Sequence, residues 1–128
     1  ESKIILNHDD MIWLLEQQMM NTESLDSMLR IIMVSSEQED ASLYLPKIID
    51  CISQSSNVTT ILEDVFVYMK RVIINATNDH NDMILKALIL NRKALLRTSR
   101  TTNHSVILDH WKECIRILLL SRRGRQEK

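Results

Sequence analysis

The stretch from Thr60 to Ile74, TILEDVFVYMKRVII, constrains the fold of this chain more than any other. Wound at 3.6 residues per turn, it gathers Ile61, Leu62, Val65, Phe66, Tyr68, Met69, Val72 and Ile73 on one continuous arc. The arc is roughly 160° wide, broader than the ~100° stripe of a helix that rests one face on a core. The charged residues Glu63, Asp64, Lys70 and Arg71 hold the opposite side, and the breadth of the arc predicts neighbours on several sides and a central place in the fold. Thr60-Ile61-Leu62-Glu63 reads as a capping box, with the Thr60 hydroxyl on the Glu63 amide and the Glu63 carboxylate reaching back to Thr60.

The rest of the chain has to supply those neighbours, and its composition says how. There is one glycine, Gly124, and one proline, Pro46, in 128 residues. So few breakers leave little room for β-turns and predict helices joined by polar loops. A first helix starts after Asn7-His8-Asp9-Asp10 and runs toward Asn21, with Met11, Ile12, Leu15 and Met19 on its main apolar face and Trp13 and Leu14 further round. A second covers about Glu23 to Val34 through Leu25, Met28, Leu29, Ile32 and Met33, ahead of the acidic linker Ser35–Asp40. A short turn at Ala41–Leu45 precedes a third helix that begins at Pro46, buries Ile48, Ile49 and Ile52, and ends near Gln54.

After the central helix, Asn75–Asn81 reads as a polar loop. The next helical region, Asp82 to about Thr98, carries Met83, Ile84, Leu88, Leu95 and Leu96 as apolar positions and falters at Asn91-Arg92-Lys93, as two short helices would. Arg97–Asn103 is a basic loop. The last helix runs from about His104 to Ser121, with Val106, Ile107, Trp111, Cys114, Ile115 and Leu118 inward, Gly124 as its stop and residues 121–128 as a basic tail. The expectation is an all-α, compact multi-helix bundle of five to seven helices, folded as a single helical domain over residues 1–128 around the helix near 60–74.

No catalytic constellation stands out. His110 and Cys114, four apart on one helix, share a face but lack a second ligand pair at zinc spacing. There is no Gly-rich phosphate loop, nucleophile elbow or HExxH. Neither an enzyme nor a cofactor or metal is expected. Cys51 and Cys114 fall on apolar helix faces and read as buried free thiols of a reducing compartment. The sequons at Asn57, Asn75 and Asn103 read as loop and cap chemistry. The seven methionines read chiefly as core filler. With no apolar run of about 18 residues and no signal-like N-terminus, a nuclear or cytoplasmic, non-secreted protein is expected.

Charge is the better lead. Residues 1–64 hold three basic against twelve acidic groups, a balance of −9, and residues 65–128 hold thirteen against five, a balance of +8. The halves either expose a basic face or pack together and neutralise each other. Lys86, Arg92, Lys93, Arg97 and Arg100 cluster in sequence around the fifth helical region and suit phosphates or an acidic peptide. No stacking aromatics interleave with them, as single-stranded nucleic acid would require.

The central helix, a following polar loop, Leu95-Leu96-Arg97 and a final helix carrying Trp111-Lys112 together resemble the TFIIS N-terminal domain family, also called the LW domain, over about residues 40–120. Tyr44–Ile49 resembles the additional N-terminal helices of its longer members. Asn75-Ala76-Thr77 departs from the family's Leu-Pro loop. The resemblance implies a non-catalytic, right-handed helical bundle that binds short disordered acidic and aromatic motifs in transcription regulation. It implies a contact surface built on the loops Asn75–Asn81 and Arg97–Asn103, with Asn78, His80 and His104 beside Lys70, Arg71, Lys86, Arg92, Lys93, Arg97 and Arg100. Two other readings stay open: a HEAT- or armadillo-like scaffold fragment, and a nucleic-acid-binding helical domain that uses the basic C-terminal half.

Overall fold

A computed structural model describes residues 5–17, 22–37, 41–54, 61–75, 78–97 and 104–126. Among them are seven α-helices and no strand: α1 His8–Leu15, α2 Thr22–Ser36, α3 Leu45–Gln54, α4 Leu62–Asn75, α5 Asn78–Leu90, α6 Arg92–Arg97 and α7 His104–Gln126, with a 3-10 turn at Ala41–Leu43 before α3. The expected all-α multi-helix bundle is what forms.

Local chemistry explains most boundaries. The side chain of Asn7 caps α1, accepting from the Asp10 amide at 2.9 Å, and Asp9 and Asp10 sit where the helix end is positive. α1 stops at Leu15, a turn earlier than its apolar spacing suggests; the Glu16 amide already bonds back to Ile12 and Trp13, and the Gln17 side chain donates to the Trp13 carbonyl. Pro46 occupies the first turn of α3, where a missing amide hydrogen costs nothing. The α5–α6 break falls at Asn91, whose side chain donates to the Ala87 carbonyl and also to Asp50 on α3. A side chain that competes for helix carbonyls while tied to a neighbour tilts the chain into a new helix. The Thr60 half of the capping box lies outside the described residues.

Two expectations about helix ends are corrected. The segment Asn75–Asn81 is mostly helix, since α5 begins at Asn78; Asn and Asp favour the first turn of a helix as readily as a loop. α7 does not stop at Ser121 but continues through Gly124 to Gln126, because one glycine within a helix costs only about 1 kcal/mol.

One apolar cluster runs from Met11 to Leu118 and draws on every helix. α4 buries Leu62, Val65, Phe66, Tyr68, Met69 and Ile73, with Ile61 just before it. Its largest contact is with α7, and α2 and the 3-10 turn also cover it. A second hub, less apparent in the sequence, is α3, which packs against α1, α5, α6 and the 3-10 turn. The amphipathic logic fails at two places: Trp13 on α1 and Met83 on α5, both expected on or beside the core, face solvent at 61% and 57% exposure.

Buried polar ties bind the acidic N-terminal half to the basic C-terminal half. The Ser36 hydroxyl meets the Tyr68 hydroxyl between α2 and α4. Ser42 Oγ lies 2.6 Å from His80 Nδ1, joining the 3-10 turn to α5. The halves therefore interlock, although their charges are only partly matched, as the surface around α5 and α6 makes plain.

A candidate docking face on α5 and α6

The ten residues singled out by sequence separate into three groups. The first is occupied inside the fold. Lys70 Nζ lies 2.8 Å from His110 Nδ1, while His110 Nε2 faces the Glu63 carboxylate at 3.6 Å and the ring stacks on Phe66. With the Lys70 ammonium donating to Nδ1, the imidazole carries its proton on Nε2 and donates toward Glu63, so this row stitches α4 to α7. Arg71 reaches Glu37 of α2 at 3.7 Å, and His80 is taken up by Ser42. Arg92 lays its guanidinium over the Trp111 ring, 5.3 Å from the centroid, while the Trp111 indole donates to the Leu88 carbonyl at 3.0 Å. Trp111 thus pins the end of α5 to α7.

The second group falls outside the described side chains: Asn78, Arg100 and His104. Asn81, at the end of the expected contact loop, is buried, with its Oδ1 lacking a partner among the described residues, and so is removed from any contact surface.

The third group stays open. Lys86 on α5 and Lys93 and Arg97 on α6 are exposed and form no ion pair among the described residues. What sequence reasoning missed is the apolar surface around Lys86 on α5. At 100° per residue, Asp82, Met83, Lys86, Ile89 and Leu90 lie on an arc of about 120°, all outward. Met83, Ile89 and Leu90 are 57%, 54% and 71% exposed, and Met83 and Leu90 stand about 10 Å apart along the axis with Lys86 between them. The opposite face holds Asn81, Ile84, Leu85, Ala87 and Leu88, all buried. The spacing Met83, Lys86, Leu90 was available in the sequence as a second stripe on the same helix.

Nothing in this surface suggests group-transfer chemistry. The described residues contain no group of three His, Cys, Asp or Glu side chains able to hold a metal. Cys114 is buried, and that burial pushes its thiol up to about 12, so it is a protonated core group and not a nucleophile. Cys51, half-buried, is pushed up for the same reason, and both thiols are free. No described helix is long and apolar enough to cross a membrane. No family model, no curated protein and no solved structure matches the chain.

Proposed function

We propose that this chain is a non-catalytic helical interaction domain whose α5–α6 outer face takes short disordered protein motifs rich in acidic and aromatic residues. The observation that carries the reading is the interleaving on the outer face of α5 of exposed Met83, Ile89 and Leu90 with Lys86, followed in the chain by exposed Lys93 and Arg97 of α6, cations without an ion pair among the described residues. Large apolar side chains of a motif bury against the former while its carboxylates neutralise the latter; burial supplies affinity and charge supplies orientation and on-rate. The TFIIS N-terminal resemblance adds the setting, transcription regulation in the nucleus. The contact surface is moved from the loops which that resemblance implied to a helix face.

The test is a titration of isotope-labelled protein with a peptide of alternating Asp or Glu and Trp or Phe, followed by amide shifts. Shifts confined to α5 and α6, and affinity weakened about tenfold or more by Lys86→Glu with Lys93→Glu, are expected. Shifts on other elements alone, or affinity that ignores the double variant, sink the reading. A single-stranded oligonucleotide serves as the second arm. If it binds and its affinity is unchanged by Met83→Ser with Leu90→Ser, the cations act alone on phosphates and the nucleic-acid reading takes over.

A further inference from the structure

The outer face of α1 carries the chemistry that the α5–α6 face lacks. Trp13 projects into solvent at 61% exposure, and its indole N–H has no partner among the described residues. Asp9 and Asp10 lie one turn before it and Glu16 one turn after; all three are exposed, and none is ion-paired among the described residues. A Trp bracketed by three acids on a capped helix, anchored beneath by buried Met11 and Leu15, is a preformed version of the acidic–aromatic motif proposed above. Burying neither the Trp nor the three acids serves the fold of a single chain. Met83, Ile89 and Leu90 stay open in that same chain, so the two faces are not joined to each other within it.

We infer that a second copy of this chain is an occupant of the α5–α6 face, docking Trp13 of its α1 against Met83, Ile89 and Leu90 and setting Asp9, Asp10 and Glu16 against Lys86, Lys93 and Arg97. The inference rests on the docking function proposed for α5–α6 and names one ligand for it. Charge complementarity favours this occupant: the chain's own halves stand at −9 and +8, three exposed acids of the first flank Trp13, and the exposed cations Lys86, Lys93 and Arg97 of the second lie on α5 and α6. The knob and the socket are different patches of one surface, so the contact is heterologous and each bound copy leaves one knob and one socket free. A surface of this size holds weakly, in the range of transient encounters below about 1,200 Å² of total buried area, so association grows with concentration and falls with salt.

Sedimentation of the full chain across roughly 10 μM to 1 mM, at low and high salt, reads this directly. The wild type is expected to form species larger than a dimer that recede as salt rises. Trp13→Ala removes the knob, and Lys86→Glu with Lys93→Glu removes the socket; all three positions are exposed, so circular dichroism should show intact helices in both variants. Each variant alone is expected to stay monomeric, and an equimolar mixture to form a one-to-one dimer and nothing larger, since one intact knob meets one intact socket. A wild type that stays monomeric overturns the inference. So does association that both variants retain, which is how apolar ends stacking as in a scaffold fragment would behave, or a mixture that stays monomeric. The function itself is judged separately by the peptide: if it binds α5–α6 while the chain remains monomeric, self-docking fails and the docking face stands; if it does not bind, the disordered-motif reading falls and the variant mixture alone decides self-docking.

Discussion

Ser36 and Tyr68 form a buried hydroxyl pair whose two members are not equally dispensable. Ser36 Oγ donates to the Met33 carbonyl at 3.2 Å, which leaves it free to accept from Tyr68; among the described residues the Tyr68 hydroxyl has only Ser36. Ser36→Ala therefore strands a buried phenol, at about 1–3 kcal/mol, whereas Tyr68→Phe leaves Ser36 still bonded, at about 0.5–1.5 kcal/mol. Chemical denaturation of the two variants should rank them in that order, and the reverse order would mean the phenol finds another partner. Cys114 makes a second residue-scale prediction. Its thiol is pushed from the ordinary 9.0 to about 12 by burial, so the folded chain holds that proton more tightly than the unfolded one. The stabilisation is whole below pH 9 and is lost as pH rises toward 12, and the buried Tyr68, also raised, adds to the loss above its ordinary 10.0. Unfolding free energy at pH 10 should fall about 1 kcal/mol or more below its value at pH 8, and Cys114→Ala should flatten that drop. A variant with the wild-type slope would show that Cys114 is not the group responsible.

At the scale of the element, α4 shows what the sequence makes legible and α5 shows what it does not. The 3–4 spacing of α4 placed Phe66, Met69 and Ile73 inside, and all three are buried, because nearly every apolar residue of that helix lies on one arc. Phe66→Ala should cost about 3–5 kcal/mol, while Val67→Ala, one position round on the exposed side, should change stability by less than about 0.5 kcal/mol. Comparable losses at both positions would refute the assigned face. α5 has apolar residues on two sides, Ile84, Leu85 and Leu88 on one and Met83, Ile89 and Leu90 on the other, so periodicity names both stripes without saying which is buried. The choice is made by partners remote in sequence: Trp111 taking the Leu88 carbonyl, His80 taken by Ser42, and α3 packed against the same side. The same remoteness hid the fates of the basic residues. Nothing local distinguishes Lys70, turned in toward His110, from Lys86, turned out.

Over the whole molecule, folding and docking draw on different forces, and salt separates them. The ion pairs among the described residues, Arg71 with Glu37 and Arg116 with Glu113, join well-exposed partners. Pairs of that kind are screened by the surrounding water and weaken further with ionic strength. What holds the halves together instead is the single apolar cluster from Met11 to Leu118 and buried hydroxyl contacts, neither of which salt screens. Raising NaCl from about 50 mM to 500 mM should therefore shift unfolding free energy by no more than about 1 kcal/mol. Over the same range an acidic–aromatic peptide should lose about tenfold or more in affinity, because Lys86, Lys93 and Arg97 are solvated cations whose attraction is long-ranged only at low salt. Denaturation and calorimetric titration of one preparation at both salts give the two numbers together. A fold that weakens in step with the binding would mean that the opposite charges of the two halves hold the helices together, and that the cations on α5 and α6 are spent on the fold and not left for a partner.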